Sequence, residues 1–229
     1  MTRENVAAVL PYAVWMGLLF GLPATAETYA LRTGLTAASL AVAAVFGLAP
    51  ALHPFWRTRR PFAWDDVLAG LAIGLVVCFL WIYPERFACY RDFSLLGFVG
   101  LAGGTPVESA SPYDPAVCGW TLTWIKLIGS AFIIAPVEEI FFRSFLYRWL
   151  QRSAWTSIDL GTFDWSAFLW MVGLFSLEHH TRLAAGAMAG AFYGWLAIRR
   201  GIGSAILAHV TTNLVLGLYV ILMNAWHFW

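Results

Sequence analysis

The sequence predicts an all-α fold, a polytopic bundle of about seven transmembrane helices around a central polar cavity. Three observations carry that expectation. Of the 229 residues, 60% are hydrophobic and only 12% charged, against about 25% charged in an ordinary soluble domain. Mean hydropathy is +0.70. The apolar residues also fall in runs close to the ~20 that cross ~30 Å of hydrocarbon as a helix. Barrel strands would need only ~10 alternating residues, and a helix satisfies its backbone amides within its own segment, as lipid demands. Thirteen Trp, 17 Phe and 8 Tyr suit rings that anchor helices at headgroup level.

The candidate spans follow in chain order. Val6–Leu22 has only Arg3 before it and no persuasive small-residue cleavage site, so it reads as a first span rather than a signal peptide. Leu35–Leu52 and Val67–Tyr83 follow, and Gly70 and Gly74 in the latter form a smooth patch for a neighbouring helix. Phe93–Gly104 is apolar but short, which fits a re-entrant or surface segment. The fourth span runs from Gly119 to about Val137. Continued to Leu150 it would be about 48 Å long and would protrude from the bilayer. Phe163–Leu177 and Leu183–Ile198 are short, roughly 23–24 Å each, so their connecting turn should lie below the membrane surface. Gly186, Gly190 and Gly194, four apart, give the sixth span a stripe for close helix approach. Gly201–Met223 closes the series.

Basic residues set the orientation. With Arg57, Arg59 and Arg60 inside, Arg3, Arg148, Arg152, Arg199 and Arg200 fall on the same side; Arg32, Arg86, Arg91 and Arg182 lie opposite. Lys126 and Arg143 fall within or near a span. The expectation is a multi-pass integral membrane protein, N-terminus cytoplasmic. Residues 1–229 read as a single integral membrane domain, with no internal repeat. Net charge is +1, so no basic footprint exists for nucleic acid; the expected partners are the bilayer and a membrane-held molecule. Cys89 and Cys118 share the long loop after the third span, where a disulfide or two unrelated thiols are both open readings.

Ionisable groups at membrane depth cost about 2.5–3.5 kcal/mol each even on a lenient scale, so they mark function. Three clusters stand out. In the first, Glu138, Glu139 and Arg143 follow Pro136, which should kink the helix. Glu139 and Arg143 are four apart and can pair on one face. Glu138 points about 100° away, and its own i+4 position is Phe142. The second cluster is Glu178-His179-His180, with Phe175 four residues before His179. The third holds His209 and Asn213, an imidazole and an amide on one helical face.

Taken in order, Glu-Glu-x-x-x-Arg, Phe-x-x-x-His and His-x-x-x-Asn resemble the CAAX-protease and bacteriocin-processing (CPBP, or Abi) family of intramembrane glutamic endopeptidases. The first motif is expected only about 0.04 times and the third about 0.06 times in a shuffled chain of this composition; the second, at roughly 0.4, is weak alone. The resemblance covers a core of residues 119–223. Length and layout also look like the CAAX-protease-related proteins found beside bacterial exosortase systems.

The resemblance implies that Glu138 and His179 activate a water while His209 and Asn213 stabilise the oxyanion, with Glu139 and Arg143 as structural support. The residue types suit those roles. A positioned base contributes 10²–10⁴-fold, and each N–H donor to a developing oxyanion about 10²–10³. A neutral imidazole N–H and a side-chain amide could both supply one. The substrate implied is a membrane-anchored peptide or protein, and no cofactor is expected. Glu, His and His also form a common zinc set, but there is no His-Glu-x-x-His and Asn213 is a poor ligand. His180 is an alternative to His179. A non-catalytic scaffold or immunity-type protein, and a transporter, are further readings; the intact clusters oppose the first, and the lack of an inverted repeat the second.

Overall fold

A computed structural model describes residues 3–45, 63–83 and 111–229 of the chain. The expected Phe93–Gly104 segment, Cys89 and the Arg57–Arg60, Arg86 and Arg91 charges lie outside these residues. Among the described residues the structure is helical with no strand. Helix α1 spans Arg3–Gly21, α2 Ala26–Ala43, α3 Trp64–Ile82 and α4 Pro115–Gly129. Within α4 the chain kinks at Gly119, whose φ of 79° is non-helical, and beyond Gly129 the fourth helix continues without a break through a π-turn at Ser130–Ile134, α5 (Ala135–Glu139), a second π-turn at Ile140–Leu146 and α6 (Tyr147–Gln151). Then come α7 (Trp165–Glu178), α8 (Leu183–Arg200) and α9 (Ile202–Met223), with short 3-10 turns at Trp155–Ser157, His180–Arg182 and Trp226–Phe228.

Local chemistry explains these boundaries. The Thr25 hydroxyl accepts from the Thr28 amide while the Thr28 hydroxyl bonds the Thr25 amide, a reciprocal cap that starts α2. Asp114, followed by Pro115, caps α4, and Asp164 caps α7 through the Ala167 amide at 2.7 Å. Gly201 separates α8 from α9 with φ 96°, a left-handed conformation in which a Cβ would be strained.

Three expectations change here. The second helix begins at Ala26, nine residues before the expected Leu35, because the Thr25 cap starts it and Arg32 is buried inside it rather than held in a loop. Pro136 is absorbed by the π-turn that precedes it. Proline has no N–H to donate and crowds the preceding turn, so the chain widens to i+5 bonding, with the Ala135 amide donating to the Ser130 carbonyl. Arg148, counted above among the loop charges, is also buried. Its Nε donates to the Ser144 carbonyl at 2.6 Å, and its guanidinium lies over the Trp155 ring.

The packing is inside-out relative to a soluble domain. Arg32, Asp66, Glu138, Glu139, Arg143 and Arg148 are buried, while Leu68, Phe79, Trp170 and Leu222 are more than half exposed. That is the arrangement expected where the surrounding medium is hydrocarbon. Helices α1, α3 and α9 are each long and apolar enough alone to cross a membrane. At 14 residues, α7 is too short to do so, as its sequence predicts.

Helix α9 is the central element and lies along α3, α8 and the fourth helix. Its approach to α3 depends on small residues. A Cβ at Gly74 would sit 2.6 Å from that of Thr211 and as close to the Ala208 carbonyl, and the Thr212 hydroxyl donates to the Gly74 carbonyl at 2.8 Å. Gly186, Gly190 and Gly194 seat α8 against Ser176, Phe175 and Met171 of α7 in the same way. Gly74→Val should therefore push α9 off α3 at a cost of about 1–3 kcal/mol. Its thermal midpoint in detergent should fall by several degrees, while Gly17→Ala, which meets nothing within 4 Å, should leave it unchanged.

Candidate active site

Glu138 and Glu139 sit on α5 between the two π-turns, a type of helix irregularity frequent at functional sites. The helix turns them in different directions. Glu139 is fully buried, and its Oε1 has two partners: Arg143 Nη1 at 3.1 Å, one turn along the same helix, and His209 Nδ1 at 2.9 Å on α9. Arg143 is held in turn by the Phe175 ring, 4.0 Å from its guanidinium carbon, and its Nη2 donates to the Gly190 carbonyl. One carboxylate thus joins the fourth helix to α9, and its arginine leans on α7 and α8.

Glu138 faces the interior, with Oε2 3.8 Å from His209 Nε2. His209 is stacked on Tyr193, ring centroids 4.8 Å apart. The Tyr193 hydroxyl donates to Thr212 at 2.6 Å, which itself donates to Gly74. Neither role of the His209 ring is arbitrary. A carboxylate only accepts, so with Glu139 ionised Nδ1 carries the proton. The neutral ring then presents a lone pair at Nε2, and a donor there requires the doubly protonated ring. This differs from the neutral-imidazole donor that the sequence led us to expect, because the Glu139 contact is invisible in the motif spacing.

His179 ends α7, with its amide on the Ser176 carbonyl and Nδ1 2.9 Å from the Phe175 carbonyl. A carbonyl cannot donate, so Nδ1 carries a hydrogen and Nε2 of the neutral ring is left as an acceptor. Trp81 packs edge-on at 5.3 Å, and a Cβ at Gly186 would lie 2.9 Å from that of His179, so α8 passes close behind it. His180 is exposed. Asn213, one turn beyond His209, donates through Nδ2 to the Ser130 carbonyl at 3.0 Å, at the start of the first π-turn. One amide hydrogen stays uncommitted by that bond.

Glu138, His179, His209 and Asn213 line one cavity of about 190 Å³, together with Tyr193 and Lys126. At ~30 Å³ per molecule it has room for roughly six waters. Sequence reasoning passed over the last two residues. Tyr193 lies inside the glycine stripe of α8, where an intramembrane hydroxyl is a signal in itself. Lys126 is the sole lysine of the chain. No group of three or more His, Cys, Asp or Glu side chains among the described residues is arranged to hold a metal ion.

Residues 120–215 match the family described as Type II CAAX prenyl endopeptidase Rce1-like. The matched stretch contains all three motifs and every motif residue named above. No curated protein and no solved structure matches the chain.

Removing one partner of a buried ion pair leaves an uncompensated charge, at about 3–5 kcal/mol. Arg143→Ala should therefore lower the yield of folded protein and its thermal midpoint more than His180→Ala, measured side by side in one detergent.

Proposed function

We propose that the protein is an intramembrane endopeptidase that hydrolyses a peptide bond of a membrane-anchored peptide or protein with a glutamate-activated water. The observation that carries the reading is the shared cavity: a carboxylate, two imidazoles and an amide from three separate chain segments face one small polar volume. Similarity of residues 120–215 to a CAAX prenyl endopeptidase family supports it, and makes a prenylated C-terminal peptide the first substrate to try.

Each residue has a part in this account. Glu138 takes a proton from the water, and His179 accepts a hydrogen bond from the same water through Nε2, turning a lone pair of its oxygen toward the scissile carbonyl. The new C–O bond converts the carbonyl to a tetrahedral oxyanion. Asn213 donates its second amide hydrogen to that oxygen. His209, protonated at both nitrogens, donates from Nε2, with the Glu139 carboxylate balancing the imidazolium. The proton on Glu138 then passes to the leaving nitrogen as the C–N bond breaks. Arg143 and Tyr193 touch no reacting atom; they hold Glu139 and the His209 ring in place. No covalent intermediate and no cofactor enter the scheme.

Preorganised donors at a developing oxyanion are worth about 10²–10³ in rate each, and a general base 10²–10⁴. Glu138→Ala and His209→Ala should accordingly reduce cleavage of a farnesylated peptide by at least about 10²-fold, with membrane insertion and thermal midpoint retained in Glu138→Ala and the midpoint lowered in His209→Ala, which strips Glu139 of a buried partner. Wild-type activity should survive exhaustive chelation. Full activity in Glu138→Ala would remove this carboxylate from the chemistry, and activity lost on chelation but restored by zinc would replace the scheme with a metal-dependent one.

A further inference from the structure

The family match ends at residue 215, and the chain beyond α9 has no part in the mechanism. It nevertheless reaches the site. Asn224 takes the left-handed conformation at φ 53°, which asparagine tolerates, and the next amide, that of Ala225, donates to the Val220 carbonyl. The chain therefore turns back across the end of the bundle. Trp226–Phe228 form a 3-10 turn, and the rings of Phe228 and Trp229 line the same cavity as Glu138 and His209.

Contacts on two sides hold this segment in place. Trp229 lies on α9 at Gly217, where an added Cβ would be 2.8 Å from Cζ2 of its ring. The ring meets Tyr113 edge-on at 6.3 Å and lies 5.9 Å from Lys126 Nζ. Gly217 stands about 12 Å beyond His209 along α9, so the indole covers the end of the cavity remote from the paired glutamates. On the other side is Arg182, in the turn after α7. Its Nη2 donates to the His227 carbonyl at 2.8 Å, and its guanidinium carbon lies 4.5 Å from the Phe228 ring centroid. Phe228 and Trp229 are only half-buried, as a cover between cavity and exterior should be.

We propose that residues 224–229 are a strap over the mouth of the cavity, latched by Arg182 and released when a ligand enters. Anything that reaches Glu138 from the end where α9 finishes must first move the two rings, because they wall the volume it would fill. The hold suits displacement. It includes a charge-assisted hydrogen bond to a main-chain carbonyl and stacked or edge-on rings, and the segment can lift without any helix leaving the bundle. A ligand that needs the space under the rings binds only the open form and so draws the equilibrium toward it. An apolar, membrane-held chain meets that requirement, since it replaces the ring contacts with its own. The closed strap shuts the cavity to other polypeptides, as the lids of many enzymes do.

The test reads access to the cavity directly and needs no turnover. In the full chain with Cys78, Cys89 and Cys118 changed to alanine, Leu216→Cys puts a thiol on the cavity wall. Its rate of reaction with a charged, water-soluble methanethiosulfonate is followed in phosphatidylcholine nanodiscs. Arg182→Ala and Trp229→Ala, which release the strap from opposite sides, should each raise that rate at least about tenfold. Thr156→Cys, exposed in the loop before α7, should react at one rate with or without them. A Leu216→Cys rate that neither folded variant changes would overturn the proposal. So would an equal rise at Thr156→Cys, which reports general loosening. Cleavage of a farnesylated peptide, measured in parallel, separates this claim from the endopeptidase reading. Faster labelling with no cleavage by any variant removes that reading and keeps the strap; cleavage with labelling unchanged keeps that reading and removes the strap.

Discussion

The buried Glu139 carboxylate is the constraint around which the site is organised. It is fully excluded from solvent, and an isolated charge there would be prohibitive. Two cationic or donor groups meet it, Arg143 from the next turn and His209 from α9, at 3.1 and 2.9 Å. The consequence reaches beyond stability. Holding Nδ1 of His209 fixes the orientation of the ring and the direction of Nε2, which faces Glu138. It also docks α9, and with it Asn213, against the fourth helix. A triad-like division of labour results, in which the carboxylate that orients the ring is distinct from the one that faces the cavity.

The same economy appears in the backbone. A proline two residues before the paired glutamates disrupts the preceding turn, and the helix runs on with π-turns on both sides of α5 rather than a break. The first of these opens at Ser130, whose carbonyl receives both the Ala135 amide and the Asn213 side chain. The irregularity thus supplies an anchoring acceptor for a site residue. Glycines on α3 and α8 then bring helices close enough for Thr212 to reach the Gly74 carbonyl and for α8 to pass behind His179.

Much of this was legible in the residues alone. Run lengths and the scarcity of charge gave the helical membrane bundle, and α1, α3, α8 and α9 lie within a few residues of the expected segments. The i,i+4 spacing of Glu139 and Arg143 was enough to predict their ion pair. Hidden from the sequence were relations across long separations. His209 reaches Glu139 over 70 residues, and Tyr29, Tyr113 and Trp229 come together on Lys126 from three distant segments. Arg32 misled for a related reason. A charge interrupting an apolar run reads as a loop boundary by hydropathy, whereas here the aromatic rings of α1 and α2 shelter it inside a helix.

The account stands most directly on the bond between Glu139 and His209, which nitrogen NMR of histidine-labelled protein can read. With Nδ1 held by Glu139, the His209 signals should report a proton at that nitrogen. Glu139→Gln should move those signals while leaving the His179 pattern, set by the Phe175 carbonyl, in place. A His209 spectrum that does not respond to Glu139→Gln would mean that the carboxylate does not orient the ring, and the architecture described for the site would be wrong at its centre.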